Sequence, residues 1–134
     1  MTDDMDCRRL SGPGLRTFLN IADLWGLTDE ERMAIVDLPR STYLDCSVGA
    51  REGRELTLSV DTLMRISAVL GIHKALRTLF RGGPEEVVWL RDPHDAPTFG
   101  GKPPVELMAA NPLAVRRYLD AMTQRADRLV QRRP

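Results

Sequence analysis

The sequence predicts an all-α protein, and three kinds of observation support this fold class. Apolar residues recur at steps of three and four over several segments, the spacing that places them on one face of a helix. Glycines and prolines separate these segments at intervals suited to ordinary helices. Ser, Thr, Asn or Pro precedes several of the segments, at the position where helices commonly begin.

Composition predicts a soluble globular chain with its own core. The 134 residues are 43% hydrophobic and 28% charged, close to ordinary globular usage, and no stretch is apolar enough to predict a membrane span. This length suits one domain, or two small ones that share a core. Cys7 and Cys46 form neither a CxxC pair nor a disulfide framework, and the N-terminus lacks the features of a signal peptide. We therefore expect free thiols and a cytoplasmic location.

The first helix is expected to follow a flexible N-terminus. Residues 1–11 are polar and acidic without periodicity. Residues 12–14, Gly-Pro-Gly, mark the start of the helix, since proline is tolerated in a first turn. The apolar stripe of this helix consists of Leu15, Phe18, Leu19, Ala22 and Trp25.

A helix-turn-helix pattern comes next. Thr28 and Glu31 form a capping box at the start of the second helix, which extends to about Val36. Pro39 prevents its continuation, and the third helix runs from residue 41 or 42 to about residue 49. Helices and a turn of these lengths are typical of DNA-binding helix-turn-helix units, and equally of a plain three-helix bundle.

If the third helix enters a major groove, its first residues and the loop after it supply the DNA contacts. These residues are Arg40, Ser41, Thr42, Tyr43, Arg51 and Arg54. Residues 1–54 hold 7 Lys/Arg against 10 Asp/Glu, a net charge of −3 (7 minus 10). This acidic balance opposes strong DNA binding, because affinity comes mostly from phosphate neutralisation.

Three further short helices are predicted between residues 59 and 90. Ser59 caps the fourth, which ends at Gly71, and residues 72–80 form the fifth. Pro84 opens the sixth, with Glu85 and Glu86 in its first turn, where the helix dipole favours carboxylates. We interpret this acidic pair as helix-stabilising rather than catalytic.

Residues 99–108 form a stiff, sharply bent loop that leads into the C-terminal helices. Phe99 is expected to anchor the loop, the two glycines after it allow positive φ, and the two prolines start a short helix. Lys102 follows the glycines, but the neighbouring residues lack the spacing and the hydroxyl of a phosphate-binding loop. We therefore predict no nucleotide site here.

The last helix begins at Asn111 and Pro112, and it carries a long apolar stripe. The stripe consists of Val115, Leu119, Met122, Ala126 and Leu129. About twenty helical residues span roughly 30 Å, more than so small a domain covers, so we expect part of the helix to meet another chain. Residues 100–134 hold 7 Lys/Arg against 3 Asp/Glu, a net charge of +4 (7 minus 3), so an anionic partner should meet this end.

The C-terminal half resembles a known family in the order of its motifs. Trp89 and Leu90 precede a proline-containing loop, a Phe-Gly-x-x-Pro-Pro-x-Glu-Leu-Met motif occupies residues 99–108, and a helix with Val115 and Leu119 follows. This order is similar to the toxin-binding domain of the Xre/MbcA/ParS-type antitoxins. The upstream helices resemble the Xre-like helix-turn-helix region of the same antitoxins, and the resemblance covers about residues 15–132.

The resemblance implies an Xre-like helix-turn-helix bundle followed by a small helical toxin-binding domain with a long C-terminal helix. We accordingly divide the chain into residues 1–11, 12–81 and 82–134. The implied function is that of an antitoxin, not an enzyme, which forms a homodimer and neutralises a RES-domain toxin that degrades NAD⁺. The antitoxin covers the active-site entrance of the toxin, and it represses its own operon by binding operator DNA.

The toxin-binding residues implied for this sequence lie in the bent loop and the last helix. They are Phe99, Gly100, Lys102, Pro104, Arg125, Arg128, Leu129, Arg132 and Arg133. An arginine-bearing tail can pair with acidic or polar groups in a dinucleotide pocket, while the apolar stripe and the loop grip the outer surface. We expect Arg128, Arg132 or Arg133 to lie nearest the pocket.

Two other functions stay open from the residues alone. One is a stand-alone helix-turn-helix transcriptional regulator whose C-terminal helix serves only as a dimer seam. The other is a scaffold without a nucleic-acid role. No nucleophile–base or metal constellation occurs at usable spacing, so we predict no catalytic, cofactor-binding or metal-binding residues.

Overall fold

The computed structural model describes the backbone of residues 4–131 and the side chains of residues 9–126. Within that range the chain is built from helices without a strand, which confirms the predicted all-α class. The helices are α1 Asp4–Trp25, α2 Asp29–Val36, α3 Arg40–Arg51, α4 Val60–Phe80, α5 Glu85–Arg91, α6 Pro104–Ala110 and α7 Pro112–Gln131. No helix among these residues combines the length and hydrophobicity that crossing a bilayer requires.

The predicted start of the first helix is wrong. Helix α1 begins at Asp4 and contains residues 12–14, so much of the segment expected to be flexible is helical. Packing favours this longer helix: Ser11 is fully buried, and its Oγ accepts a hydrogen bond from the Leu58 backbone N–H at 2.8 Å. A Cβ on Gly14 would lie 3.9 Å from Cγ2 of Ile66, an ordinary van der Waals contact, so this glycine marks neither a chain end nor a close approach.

Helices α2 and α3 have the predicted helix-turn-helix arrangement. The capping box is confirmed, because Thr28 Oγ1 accepts from the Glu31 N–H at 3.1 Å and Glu31 Oε1 accepts from the Thr28 N–H at 2.8 Å. Asp37 ends α2 in the left-handed conformation, with φ of 57°. Leu38 is half-buried and packs against the core, and α3 extends slightly beyond its predicted ends.

The predicted break at Gly71 is also wrong, because the fourth and fifth predicted helices form the single helix α4. Ser59 caps it as predicted, with its Oγ accepting from the Thr62 N–H at 3.2 Å. Gly71 lies within the helix and serves a close approach rather than a chain end. The Arg116 side chain crosses it, and the Cδ and Cζ atoms lie 2.8 Å from the position of a Cβ.

Helix α4 is the element around which both halves of the chain pack. It contacts α1, α2, α5 and α7, while α6 lies against α2 and α7. The hydrophobic core therefore runs continuously from the N-terminal helices to the C-terminal one. Its largest fully buried side chains include Trp25, Phe18, Leu15, Leu19, Ile66, Ile72, Leu76, Leu90, Met108 and Leu119.

Candidate functional site

The arginines predicted to contact DNA are paired with acidic residues of the same chain. The guanidinium of Arg40 lies 2.9 Å from Oε1 of Glu30, and that of Arg51 lies 3.4 Å from Oδ2 of Asp23. Arg54 pairs with its near neighbour Glu52 at 2.7 Å. Phosphate binding would have to compete with these pairs, which weakens the electrostatic contribution to DNA affinity.

The outer surface of α3 is only partly suited to reading bases. Ser41 and Thr42 are exposed, but Tyr43 is 3% exposed, so we remove it from the DNA-facing set. The tyrosine ring belongs to the hydrophobic core. Its position directly after polar residues in the sequence did not indicate this role. Leu44 and Val48, on the same helix, are about half exposed and offer no polar atom to a base edge.

The bent loop before α6 has the glycine conformations that the sequence predicts. Gly100 has φ of 57° and Gly101 has φ of 81°, both in the left-handed region that favours glycine. Backbone hydrogen bonds close the loop: the Gly101 N–H donates to the His94 carbonyl at 2.9 Å, and the Phe99 N–H donates to the Ala96 carbonyl at 2.9 Å. The loop is thus a defined structure rather than a simple connection.

Four aromatic rings hold this loop against α5 and α7. Phe99 is 4% exposed and lies edge-on to Tyr118 at 4.8 Å and to Trp89 at 5.7 Å between ring centroids. His94 lies 5.1 Å from Trp89 between ring centroids, and its Nε2–H donates a hydrogen bond to the Trp89 carbonyl at 2.9 Å. The prediction that Phe99 anchors the loop is confirmed.

The predicted toxin-binding residues fall into three groups. Gly100, Lys102 and Arg125 are exposed, whereas Phe99 and Pro104 are buried and support the surface from beneath. Arg128 and Leu129 belong to α7, but their side chains lie outside the described residues. Arg132 and Arg133 lie outside them altogether.

The apolar stripe of α7 is covered over only part of its length. Val115 and Leu119 are fully buried, Met122 is half-buried, and Ala126 is exposed. The buried part of the stripe therefore ends near Met122, and Ala126, the last stripe residue whose side chain is described, is exposed. The expectation that the end of α7 meets another chain stays a prediction.

Comparison with known proteins identifies two regions of the chain. Residues 8–71 match the antitoxin Xre-like helix-turn-helix domain, and residues 75–125 match the antitoxin Xre/MbcA/ParS C-terminal toxin-binding domain. The chain belongs to the Xre/MbcA/ParS family of antitoxins. The family resemblance seen in the sequence is thereby confirmed, and the matched toxin-binding domain makes a toxin its partner.

This antitoxin is also similar to an uncharacterised protein of Sinorhizobium fredii (strain NBRC 101917 / NGR234), y4oB. The two are 34% identical over 112 residues, which cover 80% of this chain and 81% of that protein. A similarity of this length includes most of each matched region. The name of the relative assigns no activity.

The two matched regions of the antitoxin share a helix and are also connected by a side-chain contact. The end of the first match and the start of the second both lie within α4, so one continuous helix belongs to both. Arg91 of α5 also forms a two-pronged contact with Glu31 of α2, with its Nη2 2.9 Å from Oε1. This guanidinium lowers the pKa of the Glu31 carboxyl. The predicted boundary after Arg81 stays a proposal.

The aromatic cluster of the antitoxin was not predicted from the sequence. Trp89 was noted only for its place in the motif order, and neither His94 nor Tyr118 was assigned a part in the loop, yet the three surround Phe99. They come from α5, the loop and α7, so no sequence spacing brings them together. The small number of aromatic residues, 5% of the chain, is a weak signal that could have marked them.

Several titratable groups of the described chain are buried or partly buried. Glu86 is 3% exposed, and its Oε1 has no hydrogen-bond partner in the part of the chain that the structure describes. Burial lowers the pKa of His73, and burial raises the pKa of the Cys46 thiol, which disfavours the reactive thiolate. Among residues with described side chains, no group of three or more His, Cys, Asp or Glu could hold a metal ion.

Proposed function

We propose that this antitoxin neutralises a RES-domain toxin that consumes NAD⁺, by covering the entrance to its NAD⁺ pocket with the C-terminal region. The observation that carries the proposal is the match of residues 75–125 to a toxin-binding domain that ends on α7, where residues 124–126 are exposed. The identity of the toxin class comes from the family resemblance of the sequence motifs. The remaining support comes from the geometry around α7.

The aromatic cluster supports the proposal because it fixes where α7 points. Phe99, Trp89 and Tyr118 connect the loop to α5 and α7, and Val115 and Leu119 are fully buried against the core. A helix held at its base in this way presents its far end in one orientation. Pre-organisation of this kind lowers the entropy cost of binding a partner.

The charge of α7 also favours its C-terminal end as the surface that contacts the toxin. Arg117 and Arg125 are exposed, and neither forms an ion pair with a described carboxylate. Both are therefore available to acidic groups on a partner, as two-pronged guanidinium contacts require. In the proposal, Arg125 and the arginines at 128, 132 and 133 meet the toxin, and one of the last three enters its pocket.

Removal of the end of α7 tests this proposal. A chain truncated after Gln124 keeps Val115, Leu119 and Met122, so we expect it to fold with nearly unchanged circular dichroism. When it is co-expressed with the product of the adjacent open reading frame, cellular NAD⁺ should fall, whereas the full chain preserves it. A full-length Arg40→Gln variant, which loses an exposed arginine elsewhere, serves as the control. A folded truncated chain that still preserves NAD⁺ would contradict the proposal.

We also propose that the antitoxin represses its operon by binding operator DNA through α2 and α3. The match of residues 8–71 to an Xre-like helix-turn-helix domain supports this role. Arg51 and Arg54 are paired with acidic residues, so we expect them to add little to DNA affinity. Ser41 and Thr42 are exposed, and we expect them to contact the bases. A gel shift with upstream DNA should be lost on combining Arg40→Ala with Thr42→Ala. Binding of equal strength by the double variant would contradict this role for α3.

The proposal includes a homodimer and no enzymatic activity of the antitoxin itself. Sedimentation of the purified full chain, without toxin, measures the first, and the expected species is a dimer. Incubation of the antitoxin alone with NAD⁺ measures the second, and NAD⁺ should stay constant. A monomer at micromolar concentration, or loss of NAD⁺ in the second experiment, would overturn the corresponding part.

A further inference from the structure

The last turns of α4 carry a row of exposed cations. Lys74 and Arg77 lie one turn apart on the same side of the helix, and Arg81 directly follows its last residue as the left-handed C-cap. All three are exposed, and none forms an ion pair or hydrogen bond with a described residue through its charged group. Their charge is therefore presented to solvent without internal neutralisation.

Most other arginines of the described chain are neutralised by a carboxylate. The nearest N···O distances range from 2.5 to 3.7 Å. The paired arginines are Arg32, Arg40, Arg51, Arg54, Arg65, Arg91 and Arg116. In the helix-turn-helix region, the arginines predicted to contact DNA form ion pairs with carboxylates. The cations at the end of α4 do not form ion pairs with described carboxylates.

Helix α7 packs beside the row-bearing helix α4. Pro112 at the start of α7 lies beside Met64 of α4, while Arg116, one turn later, crosses Gly71 and donates to the Ser67 carbonyl at 3.3 Å. Arg125 follows Arg116 by nine residues, so it lies on the opposite side of α7 from this contact and is not part of the row on α4.

We propose that Lys74, Arg77 and Arg81 form a cationic surface that docks on an acidic surface of the toxin. The inference rests on the proposed antitoxin function and extends it from the end of α7 to the end of α4. Arg77 and Arg81 lie inside the region matched to the toxin-binding domain, and Lys74 directly precedes it. This position favours a protein partner over a nucleic acid, because the matched helix-turn-helix domain ends earlier, at residue 71.

The surface acts mainly on encounter with the toxin. Exposed charges at the rim of an interface raise the association rate and make it dependent on salt, while they add little to the packed centre. The end of α7 covers the toxin pocket, and the end of α4 provides the electrostatic attraction that orients the two proteins. The acidic surface of the toxin is thus expected beside the entrance to its pocket rather than inside it.

The test compares two triple variants of the full-length antitoxin that lose the same charge. The first combines Lys74→Gln, Arg77→Gln and Arg81→Gln. The second, the matched control, combines Arg40→Gln, Arg51→Gln and Arg54→Gln. Affinity for the purified product of the adjacent open reading frame is measured at about 50 mM and about 300 mM salt, with Debye lengths on either side of 10 Å.

We expect the first variant to bind about tenfold more weakly than wild type at low salt and to lose most of the salt dependence. The control should keep the wild-type affinity and salt dependence within about twofold. Both should melt near the wild-type temperature, since all six positions are exposed.

Three results would overturn the inference. One is a first variant with wild-type affinity and salt dependence. Another is an equal loss in both variants, which would indicate net charge rather than a local surface. The third is intact toxin binding together with lost binding to a random-sequence DNA duplex, which would assign the cations to nucleic acid. If wild type itself fails to bind the neighbouring product, the proposed function fails first.

Discussion

Phe99 joins three separate parts of the antitoxin through one ring. It lies in the bent loop, contacts Trp89 of α5 and Tyr118 of α7, and is almost fully buried. A ring in this position excludes water from the base of α7 and holds the loop closed. Its contribution is therefore to the shape of the toxin-binding region rather than to direct contact.

Replacing Phe99 with alanine should lower the free energy of unfolding by about 3–5 kcal/mol, the usual cost of a large cavity in a core. Urea denaturation followed by circular dichroism measures it. Lys102→Ala, in the same loop but exposed, should change stability by less than about 0.5 kcal/mol and serves as the control. Similar losses in the two variants would show that the ring does not hold the loop.

Single residues were predictable where their role depends on local geometry. Thr28 and Ser59 cap their helices, and Gly100 adopts positive φ, because each role is set by neighbours within a few positions. Tyr43 and the arginines of α3 were not predictable in the same way. The burial of Tyr43 and the pairing of Arg51 with Asp23 depend on contacts between helices that no local pattern encodes.

At the scale of elements, the start of α2 is tied to α5. Glu31 completes the capping box with Thr28 and also accepts hydrogen bonds from Arg91, so one carboxylate serves both contacts. The cap of the helix-turn-helix and the start of the toxin-binding region therefore stabilise each other. A substitution that removes either contact should therefore weaken the other.

Thr28→Ala removes the hydroxyl that accepts from the Glu31 N–H, and we expect a loss of about 1 kcal/mol in the free energy of unfolding. Thermal or urea denaturation measures it. Thr42→Ala is the matched control, since Thr42 is exposed in the first turn of α3 and makes no side-chain cap. A loss in Thr28→Ala no larger than in the control would contradict the capping role.

The sequence correctly predicted that the elements are helices, but the helix boundaries predicted at glycines were wrong. Helices α2, α3, α5, α6 and α7 occur where the sequence places them, since caps and prolines fix their starts. The Gly-Pro-Gly at residues 12–14 and Gly71 were taken as helix ends, the usual meaning of such residues. In the fold residues 12–14 lie within α1, and Gly71 lies within α4, where it allows the close approach of Arg116. Sequence alone does not separate a glycine at a helix end from a glycine inside a helix.

At the scale of the whole molecule, several described titratable groups link stability to pH, His73, Asp23 and Glu31 among them. Burial lowers the pKa of His73 below its ordinary value of 6.5, so below that pH the unfolded chain binds the proton more readily. Hydrogen bonds from Arg32 and Arg91 lower the pKa values of Asp23 and Glu31. Their contribution is present above ordinary values of 3.8 and 4.5 and is lost as pH falls through the lowered pKa values.

We therefore expect the free energy of unfolding to fall with decreasing pH in two ranges, first below about 6.5 and then below about 4.5. Denaturation at a series of pH values measures both. His73→Gln should remove the first range and leave the second. Unchanged stability of wild type between pH 7 and pH 5 would contradict the assigned burial of His73.

The interdependence of the two regions follows from α4. One face of this helix packs on α1 and another on α7, so the helix-turn-helix region and the toxin-binding region share a core. Sequence periodicity predicted an all-helical chain and the order of its regions. It did not predict the shared core, because periodicity identifies a buried face without naming the element that covers it.

The function of the antitoxin is tested most directly by NAD⁺ turnover with purified proteins. The product of the adjacent open reading frame is incubated with NAD⁺, alone and with an equimolar amount of the full-length antitoxin. The proposal predicts that NAD⁺ is consumed in the first reaction and preserved in the second. A neighbouring product that leaves NAD⁺ unchanged, or that consumes it equally fast while bound to the antitoxin, would contradict neutralisation by occlusion.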